Sequence, residues 1–539
     1  MAGQRAIVVG GGHNGLVCAF YLARAGLNVT VCERRGVAGG AAVTEAFHPG
    51  FRNSVAAYTV SLLNPKVIAD MDLHGHGLRL VERPVANFLP NGRGGYLMGC
   101  NTLAETQAQV AKFSNRDAEA LPKYYDMLDG VVHVLRRLSM ETPPNLPDGL
   151  AGLPRALAQG NMLRRLPQTQ QRDLLDLFTK SARDVLDGWF ESDEIKALLG
   201  FDSIVGNYAS PDTPGSAYVL VHHTFGGVNG KTGNWGHAIG GMGAITQAMA
   251  KACAAAGVDI LLDAPVARVN VVNGRAAGVL LEDGRELGAS IVASNLNPSL
   301  LFKQLIDPAE LDADFRKRIA GYKNGSGSFR MNVALSELPD FTCLPGKTAA
   351  PHHGSGIILA PSLDYMDRAY LDARRDGWSA APIVEILIPS TLDDSLAPPG
   401  AHVASLFCQQ FAPTLPGRPW ADAREDAADK IIATVTEHAP NFAAAVLGRM
   451  CLAPTDLEEK FGLTGGDIMH GNMSLDQLWA MRPVLGHGSY RAPIKGLYMC
   501  GSGTHPGGGV SGMPGHNAAR EVLRDLGGLG ALKLAVSGH

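Results

Sequence analysis

The stretch RAIVVGGGHNGLVCAFYLARAGLNVTVCE, residues 5–33, joins an apolar strand, a glycine-rich turn, a helix and a second strand. Gly10, Gly12 and Gly15 have the GxGxxG spacing, which also takes in Asn14. Such a turn lets a dinucleotide pyrophosphate approach the backbone at a helix N-terminus, and an acid such as Glu33 after the second strand accepts hydrogen bonds from a ribose. The pattern predicts an α/β fold that begins with a Rossmann-like dinucleotide-binding domain.

The residues after Glu33 indicate which dinucleotide is bound. The run ERRGVAGGAAVTE places Arg34, the paired glycines Gly39 and Gly40, and Ala41 just beyond the ribose acid. This pattern resembles the two-dinucleotide-binding-domain flavoproteins, in which the segment follows the pyrophosphate and ribityl chain of FAD. We therefore predict that FAD, not NAD, is the cofactor. The predicted binding residues here are Gly10, Gly12, Asn14, Gly15, Glu33, Arg34, Gly39, Gly40 and Ala41.

The middle of the chain returns to regular structure after a glycine-rich entry and a helix, GGMGAITQAMAKACAAAG. Asn273-Gly274 and Asp283-Gly284 separate three strand-like runs, and both dipeptides favour hairpin turns with positive φ at both centre positions. We expect a three-stranded antiparallel meander and then a strand, residues 289–294, as in the crossover of an FAD domain. Val266 would contact the adenine through its backbone. An unrelated β-module is the alternative.

The late stretch GSGTHPGGGVSGMPGHN, residues 501–517, lies between a strand-like run, 497–500, and a helical run. Glycine is needed where a Cβ would hold the backbone away from a cofactor. We predict that Gly501, Gly512 and Met513 belong to a turn close to the flavin, followed by a helix whose N-terminus stabilises negative charge on the ring. A glycine-rich tail without a site is the alternative.

The remaining segments would form a second domain. Residues 1–72, 231–299 and 488–539 are predicted to build the FAD domain. Residues 73–230 are mostly helical in pattern, and residues 300–487 contain strand-like runs such as GSFRMNVAL, APIVEILIP and HVASLFCQQF. We therefore expect these two insertions to form an α+β substrate domain.

Charge and composition limit the partners. The net charge of −4 gives no broad basic field, which argues against nucleic acid. The eight cysteines form no CxxC pair, so buried thiols in a reducing compartment are expected. The first residues enter a strand without a secretory signal, and no apolar run is long enough to span a bilayer. The sequence thus favours a cytoplasmic protein.

Two segments leave interactions open. The run LAGLPRALAQGNMLRRLP, from Leu150, mixes apolar residues with arginines and fits either peripheral membrane contact or an ordinary surface helix or loop. The apolar run GGLGALKLAVSG, residues 527–538, could form a homodimer or partner interface.

The runs GGGHNGLVCAFYLARAGLNVTVCERRGVAGGAAVTE, PGFRNSVAAYTVSLLNP, GDIMHGNMSLDQLWAMRPV and GLYMCGSGTHPGGGVSG together resemble the phytoene-desaturase-related flavoproteins. These include the group named for a pyridine nucleotide-disulfide oxidoreductase domain. The resemblance runs over nearly the whole chain and implies FAD binding and an oxidoreductase activity. The run GVAGGAAVTEAFHPGF holds no cysteine, so disulfide reduction is excluded.

The chemistry that remains is hydride transfer at flavin N5 with an apolar, polyene or lipid-like substrate, which requires a dry pocket. His470 and His505 are candidate proton acceptors, and His237 is a weaker one; for each, a structural role is the alternative. His352-His353 is expected to be a solvated loop without a third ligand, so no metal site is proposed. Amine oxidation with oxygen and a binding or regulatory role are the alternative functions.

Overall fold

The structure, a computed structural model, describes residues 3–145 and 148–527. It is a mixed α/β protein. The helices are α1 (His13–Arg24), α2 (Pro65–Asp70), α3 (Leu103–Val110), α4 (Asn115–Ser139), α5 (Gly149–Arg164), α6 (Gln168–Thr179), α7 (Ala182–Trp189), α8 (Asp193–Gly200), α9 (Ser216–His222), α10 (Gly243–Ala255), α11 (Pro298–Leu300), α12 (Ala313–Ala320), α13 (Leu363–Asp376), α14 (Trp420–His438), α15 (Phe442–Ala445), α16 (Pro454–Phe461) and α17 (Met513–Asp525).

The strands are β1 (Arg5–Val9), β2 (Asn28–Cys32), β3 (Thr44–His48), β4 (Phe51–Ser54), β5 (Leu80–Glu82), β6 (Asn87–Pro90), β7 (Tyr96–Gly99), β8 (Gly227–Val228), β9 (Lys231–Thr232), β10 (Gly236–Ala238), β11 (Asp259–Leu261), β12 (Val266–Val272), β13 (Arg275–Leu281), β14 (Glu286–Gly288), β15 (Ile291–Ser294), β16 (Phe329–Leu335), β17 (Gly356–Leu359), β18 (Trp378–Leu387), β19 (His402–Phe411), β20 (Val446–Leu452) and β21 (Leu497–Met499).

A five-stranded parallel sheet carries the nucleotide-binding motif. Its order is β11-β2-β1-β15-β21, and every neighbouring pair is parallel. Helix α1 packs against both α10 and α17 beside this sheet. The central strands are apolar over nearly their whole length because helices and the meander cover both faces. The strands come from the three segments predicted to form the FAD domain, whose boundaries stay a prediction.

The meander forms as expected, in the order β12-β13-β14. At its first turn Asn273 and Gly274 both have positive φ, 50° and 69°. At the second turn only Gly284 does, at 87°, so the prediction of two positive φ values is wrong there. Asp283 instead accepts a hydrogen bond from the backbone N–H of Arg285 at 3.0 Å, which stabilises the turn without a left-handed first residue.

A second sheet of seven strands has the order β20-β16-β19-β18-β17-β6-β7. All of its neighbouring pairs are antiparallel except β17 and β6. Strands β16, β18 and β19 are the three runs singled out in the sequence. The helices of residues 103–222 cluster around buried residues such as Leu121, Tyr124 and Leu186. Within the segment predicted to be mostly helical, residues 172–190 form parts of two helices, α6 and α7, because Ser181 caps α7 with a capping box.

The prediction of a solvated loop at His352-His353 is wrong. Both side chains are buried, and they lie in a short 3₁₀ turn, Pro351–Gly354. The His352 ring packs 5.1 Å from the ring of Phe88, and His353 Nε2 lies 3.0 Å from the carbonyl oxygen of Pro339. The turn is buried because its aromatic neighbours belong to the core of the seven-stranded sheet.

The run from Leu150 forms helix α5, on which Leu150, Leu153 and Leu157 are exposed. Peripheral membrane contact stays a prediction. Among the described residues, no helix has the length and apolar character needed to cross a bilayer. The apolar run at the end of the chain lies outside the described residues beyond Gly527, so its role in a dimer also stays a prediction.

Candidate active site

The glycine turn after β1 has no room for side chains. Gly10 has a φ of 94°, and its N–H donates to the carbonyl oxygen of Cys32 at 2.8 Å. A Cβ on Gly12 would lie 2.6 Å from Asn295 Nδ2, and one on Gly15 would overlap the carbonyl oxygen of Gly10. Gly15 therefore allows α1 to pack closely on β1, as its place in the motif predicts. Gly12 also lines the nucleotide cavity, so its backbone is accessible to a pyrophosphate.

Gly39 and Gly40 close the turn from the other side. The N–H of Gly39 donates to the carbonyl oxygen of Gly11 at 2.9 Å, and Gly39 forms a bridge with Gly12. A Cβ on Gly40 would lie only 3.1 Å from the Cα of Gly12. Both positions have positive φ, 144° and 58°, so both favour glycine. Gly10 and Gly12 on one side, and Gly39 and Gly40 on the other, form one glycine cradle.

Glu33 is buried at the end of β2, and its carboxylate is fixed by the backbone. Oε2 accepts from the N–H of Gly11 at 2.8 Å, and Oε1 accepts from the N–H of Arg35 at 2.9 Å. A carboxylate oxygen has a second lone pair, so each still has capacity for a ribose hydroxyl. This arrangement fits the ribose-binding role predicted for Glu33.

These residues line one cavity at the carboxyl edge of the parallel sheet. Of the predicted cofactor residues it brings together Gly10, Gly12, Glu33, Arg34, Gly40, Ala41 and Val266. Asn14, Gly15 and Gly39 lie behind its surface and hold it: Asn14 Nδ2, for instance, donates to Ser502 Oγ at 3.1 Å. The buried Oδ1 of Asn14 has no protein partner among the described residues. The set fits FAD, whose dinucleotide part needs a glycine cradle and a ribose acid. The role of each residue stays a prediction.

The late glycine loop lines the site, but the residues that do so are not the ones predicted. Ser502 lines the nucleotide cavity, and Gly509 and Val510 line the cavity beside it. Gly501 packs against the backbone of Asn295, and Gly512 packs against Val17 and Val67 on two helices. These glycines allow close backbone packing, as argued from the sequence. They pack against other protein residues, however, and not against a cofactor cavity.

Met513 begins α17 and lines a separate cavity with Leu62, Arg136 and Phe225. Ser139 Oγ lies 3.3 Å from its Sδ. Gly501, Gly512 and Met513 are therefore not among the residues that line the nucleotide cavity.

A second cavity continues from the first and is mainly apolar. The two share His13, Ala41, Leu463, His470 and Ser502. Its walls include Ala56, Ala57, Leu62, Val205, Ile468, Met469 and Val510. Tyr58, Thr59, His223 and Trp235 are among the lining residues that the nucleotide cavity does not share. We call these four residues the far wall.

Of the three candidate histidines, the structure brings only His470 to the junction of the two cavities. Its backbone has a φ of 57°, and its carbonyl oxygen accepts the hydroxyl of Tyr322 at 2.7 Å. Nδ1 is buried and has no protein partner among the described residues. Burial, followed by the charges of His13 and Arg482, lowers the pKa of His470 to about 3, so the ring is neutral near pH 7.

The other two candidates have structural contacts. His505 Nε2 lies 3.0 Å from the carbonyl oxygen of Leu138, and its ring meets the ring of Trp479 edge-on at 5.1 Å. His237 Nε2 lies 3.1 Å from a carboxylate oxygen of Asp393. Neither lines the cavities that contain His470. The structural alternative left open by the sequence is favoured for both.

A buried ionic cluster behind the far wall could not be read from local sequence. The hydroxyl of Tyr58 donates to Glu385 Oε2 at 2.5 Å, although 327 positions separate the two residues. Arg83 Nη2 donates to Thr59 Oγ1 at 2.7 Å, and the guanidinium of Arg330 lies 4.7 Å from the ring centre of Tyr58. One signal was present: Glu385 and Arg330 are the charged residues of two strand-like runs that are otherwise uncharged.

Comparison with known proteins agrees with this geometry. Residues 15–328 match the family described as flavin containing amine oxidoreductase. The chain belongs to this family. It is 41% identical over 551 residues to pyridine nucleotide-disulfide oxidoreductase domain-containing protein 2 of Rattus norvegicus, covering 97% of this chain and 93% of that relative. It is 26% identical to a phytoene desaturase (lycopene-forming) of Paracoccus sp., covering 97% and 98%.

The fold is shared with solved oxidases. A structure of wild-type putrescine oxidase bound to putrescine superposes with a TM-score of 0.59 at 15% identity, covering 97% of this chain and 98% of that one. The predicted Rossmann-type flavoprotein fold, the FAD cofactor and the resemblance to phytoene-desaturase-related proteins are confirmed. This family member is an FAD-dependent oxidoreductase.

Proposed function

We propose that this oxidoreductase catalyses hydride transfer between flavin N5 and an apolar substrate of polyene or lipid-like character. The observation that carries the proposal is the apolar cavity that continues from the nucleotide cavity and meets it at His470 and Ser502. No Asp or Glu is among the residues that line the apolar cavity. The phytoene desaturase of Paracoccus sp. is a relative whose name describes chemistry on a polyene.

FAD bound in the cradle supplies the two-electron chemistry. The chain's own residues bind the substrate among apolar side chains and exclude water, which protects a hydride in transit. A desaturation also releases a proton from the carbon next to the one that loses hydride. His470 Nδ1 is unpaired and neutral, so it is the acceptor that we assign to this proton. Because the pKa of His470 is low, the imidazolium then gives this proton to water when the product leaves and solvent enters the cavity.

Amine oxidation with oxygen is the second candidate. The family match and the aromatic side chains of Tyr58 and Trp235 in the far wall favour it. The buried arginines behind that wall disfavour a cationic amine, because like charges repel strongly where water is excluded. A binding or regulatory role is the remaining alternative, and it predicts a flavin that no substrate reduces.

The test is the visible spectrum of the FAD-loaded protein under anaerobic conditions. An apolar extract of the source cells, a set of primary amines and buffer alone would be added separately. Bleaching of the flavin bands by the extract, with none by the amines, is the expected result. Bleaching by amines with peroxide formed on admitting air would replace the proposal with amine oxidation. A flavin that nothing bleaches would favour the non-catalytic role.

A variant tests the proton acceptor. His470→Asn keeps a residue that tolerates positive φ and removes the imidazole. We expect flavin reduction to slow by about a hundredfold, the size of a lost general base, while FAD content stays the same. His133→Gln, at an exposed position on α4, is the control. An unchanged reduction rate in His470→Asn would remove His470 from the mechanism and leave the substrate class untouched.

A further inference from the structure

The far wall of the apolar cavity has a buried cation directly behind it. Arg83 is 4% exposed, and its guanidinium carbon lies 5.5 Å from the ring centre of Trp235. Its Nη2 donates to Thr59 Oγ1 at 2.7 Å and its Nη1 to the carbonyl oxygen of Ala86 at 3.4 Å. Among the described residues, no carboxylate oxygen comes within the 4.0 Å of an ion pair with Arg83. The charge is therefore hydrogen-bonded but not directly neutralised.

A second buried arginine has the same character. Arg330 is 1% exposed, and it donates to the carbonyl oxygen of Leu406 at 2.6 Å and to Ser405 Oγ at 2.7 Å. Its guanidinium lies over the ring of Tyr58. In the part of the chain that the structure describes, it too has no carboxylate at ion-pair distance. Two guanidinium groups thus lie behind one end of the cavity.

The nearby acids balance these charges only in part. Glu385 accepts the hydroxyl of Tyr58, and burial raises the pKa of its carboxyl. Burial, followed by the charge of Glu385, raises the pKa of Asp202 to about 8, so Asp202 is mostly neutral at pH 7. His223 is also neutral, because burial lowers its pKa to about 4. Two arginines therefore face at most one ionised acid, Glu385, so the potential at the far wall is positive.

The far wall also presents hydrogen-bond donors. The indole N–H of Trp235 has no acceptor within the described residues, and its ring stacks on His223 with the centres 6.0 Å apart. The hydroxyl of Thr59 donates to the carbonyl oxygen of Gly236 over a long 3.2 Å and can rotate toward a ligand. An N–H and an O–H donor in a positive field match an anionic oxygen acceptor.

We propose that the substrate of this cavity is amphipathic, with an apolar chain that extends toward the flavin and a carboxylate that binds at the far wall to Trp235 and Thr59, with Arg83 behind them. This inference rests on the proposed function and specifies its substrate class as a lipid-like acid. Trp235 and Thr59 contact the carboxylate, whereas Arg83 acts through Thr59 and through its field. A hydrocarbon or a protonated amine, which has no acceptor lone pair, would leave the Trp235 donor unused.

The test uses three probes of equal chain length, decanoic acid, decanol and decane, with the FAD-loaded protein at pH 7.5. Dissociation constants are measured from the perturbation of the flavin absorbance bands, so no turnover is needed. We expect decanoate to bind at least about tenfold more tightly than decanol or decane. Trp235→Phe removes only the N–H donor and should weaken decanoate about threefold to tenfold without changing decane. Arg83→Met should abolish the preference for the acid.

Trp378→Phe, on the seven-stranded sheet outside the cavity lining, is the matched control. If Arg83→Met fails to fold, Trp235→Phe still tests whether the carboxylate binds at the far wall. Equal binding of the three probes, no binding of any, or an acid preference that Trp235→Phe leaves unchanged would overturn the inference. If an apolar extract bleaches the flavin while decanoate shows no preference, the inference fails and the proposed function stands. If only amines bleach the flavin and decanoate is still preferred, the proposed function is contradicted instead.

Discussion

At the residue scale, Gly15 shows how a single missing methyl group determines the cradle. A Cβ at this position would overlap the carbonyl oxygen of Gly10, and neither backbone can move without shifting α1 against β1. Gly15→Ala should therefore lower the free energy of unfolding by about 2–3 kcal/mol, the usual cost of overpacking, and abolish FAD retention. Gly160→Ala on α5 is the control, because a Cβ there meets nothing within 4 Å. Chemical denaturation and flavin content measure both effects, and normal flavin content in Gly15→Ala would contradict the packing argument.

The position of the Glu33 side chain depends on both oxygens of its carboxylate. Its carboxylate accepts from the N–H groups of Gly11 and Arg35, and an amide offers one oxygen in place of two. Glu33→Gln leaves one of these buried donors facing an NH₂ group, at a cost of about 1–3 kcal/mol. We expect the dissociation constant of FAD to rise about tenfold in a flavin fluorescence titration. Glu286→Gln, exposed on β14, should leave it unchanged, and the same value in both variants would remove the ribose-acid role.

Single residues were predictable from sequence where the chemistry is local. Gly12, Gly15 and Glu33 follow from spacing within 30 positions, because one strand-turn-helix unit determines their geometry. The far wall was not predictable in the same way. Thr59 and Trp235 meet Arg83 only because a sheet and several helices bring distant segments together, and no local pattern records that contact.

At the element scale, the loop of residues 466–477 positions His470, and Arg482 holds that loop. The Arg482 guanidinium donates to five carbonyl oxygens, those of Met469, Gly471, Asn472, Gln477 and Ser502. Asp467 holds the same loop through the backbone N–H groups of Gly325, Met469 and Gly471. One buried cation thus joins the His470 loop to the turn that carries Ser502.

Replacing Arg482 by lysine tests this element. A lysine keeps the charge, but its three donors lie on one nitrogen. It therefore cannot reach all the carbonyl oxygens that the three nitrogens of the guanidinium bind. We expect Arg482→Lys to lose about 3 kcal/mol of unfolding free energy, because several buried carbonyls lose their donor. Arg418→Lys, at an exposed site, should change it by less than about 0.5 kcal/mol. Urea unfolding of both variants is the measurement, and equal stability would show that the loop is held by Asp467 alone.

Elements were predicted well where periodicity was strong and less well at their junctions. The meander and strands β16, β18 and β19 were expected, because their apolar runs are long and bounded by turn residues. The late helix was expected, but its N-terminal residues face protein, since a glycine permits close approach without saying to what. The His352-His353 turn was misread because polarity alone does not reveal aromatic packing partners.

At the scale of the whole molecule, burial of histidines couples stability to pH. Burial lowers the pKa values of His13 and His505 to about 4 and those of His222 and His470 to about 3. The unfolded chain, with values near 6.5, binds more protons than the folded one as the pH falls below 6.5. Stability present above pH 6.5 is therefore lost as the pH falls toward 4, at about 1.4 kcal/mol per pH unit for each histidine.

Buried acids oppose this trend but do not cancel it. The pKa of Asp202 is raised to about 8 and that of Asp467 to about 6, so the folded state holds their protons more tightly in the same window. The histidines with a lowered pKa, which also include His223, His352 and His516, outnumber the acids with a raised pKa, so we expect the urea midpoint to fall steadily from pH 7 to pH 5. His505→Gln keeps a donor for the Leu138 carbonyl. It should reduce the pH dependence of the unfolding free energy by about 1.4 kcal/mol per pH unit. A midpoint that stays constant or rises between pH 7 and pH 5 would mean that these histidines become protonated in the folded protein, and that the cavities around His470 admit enough water to solvate the charge.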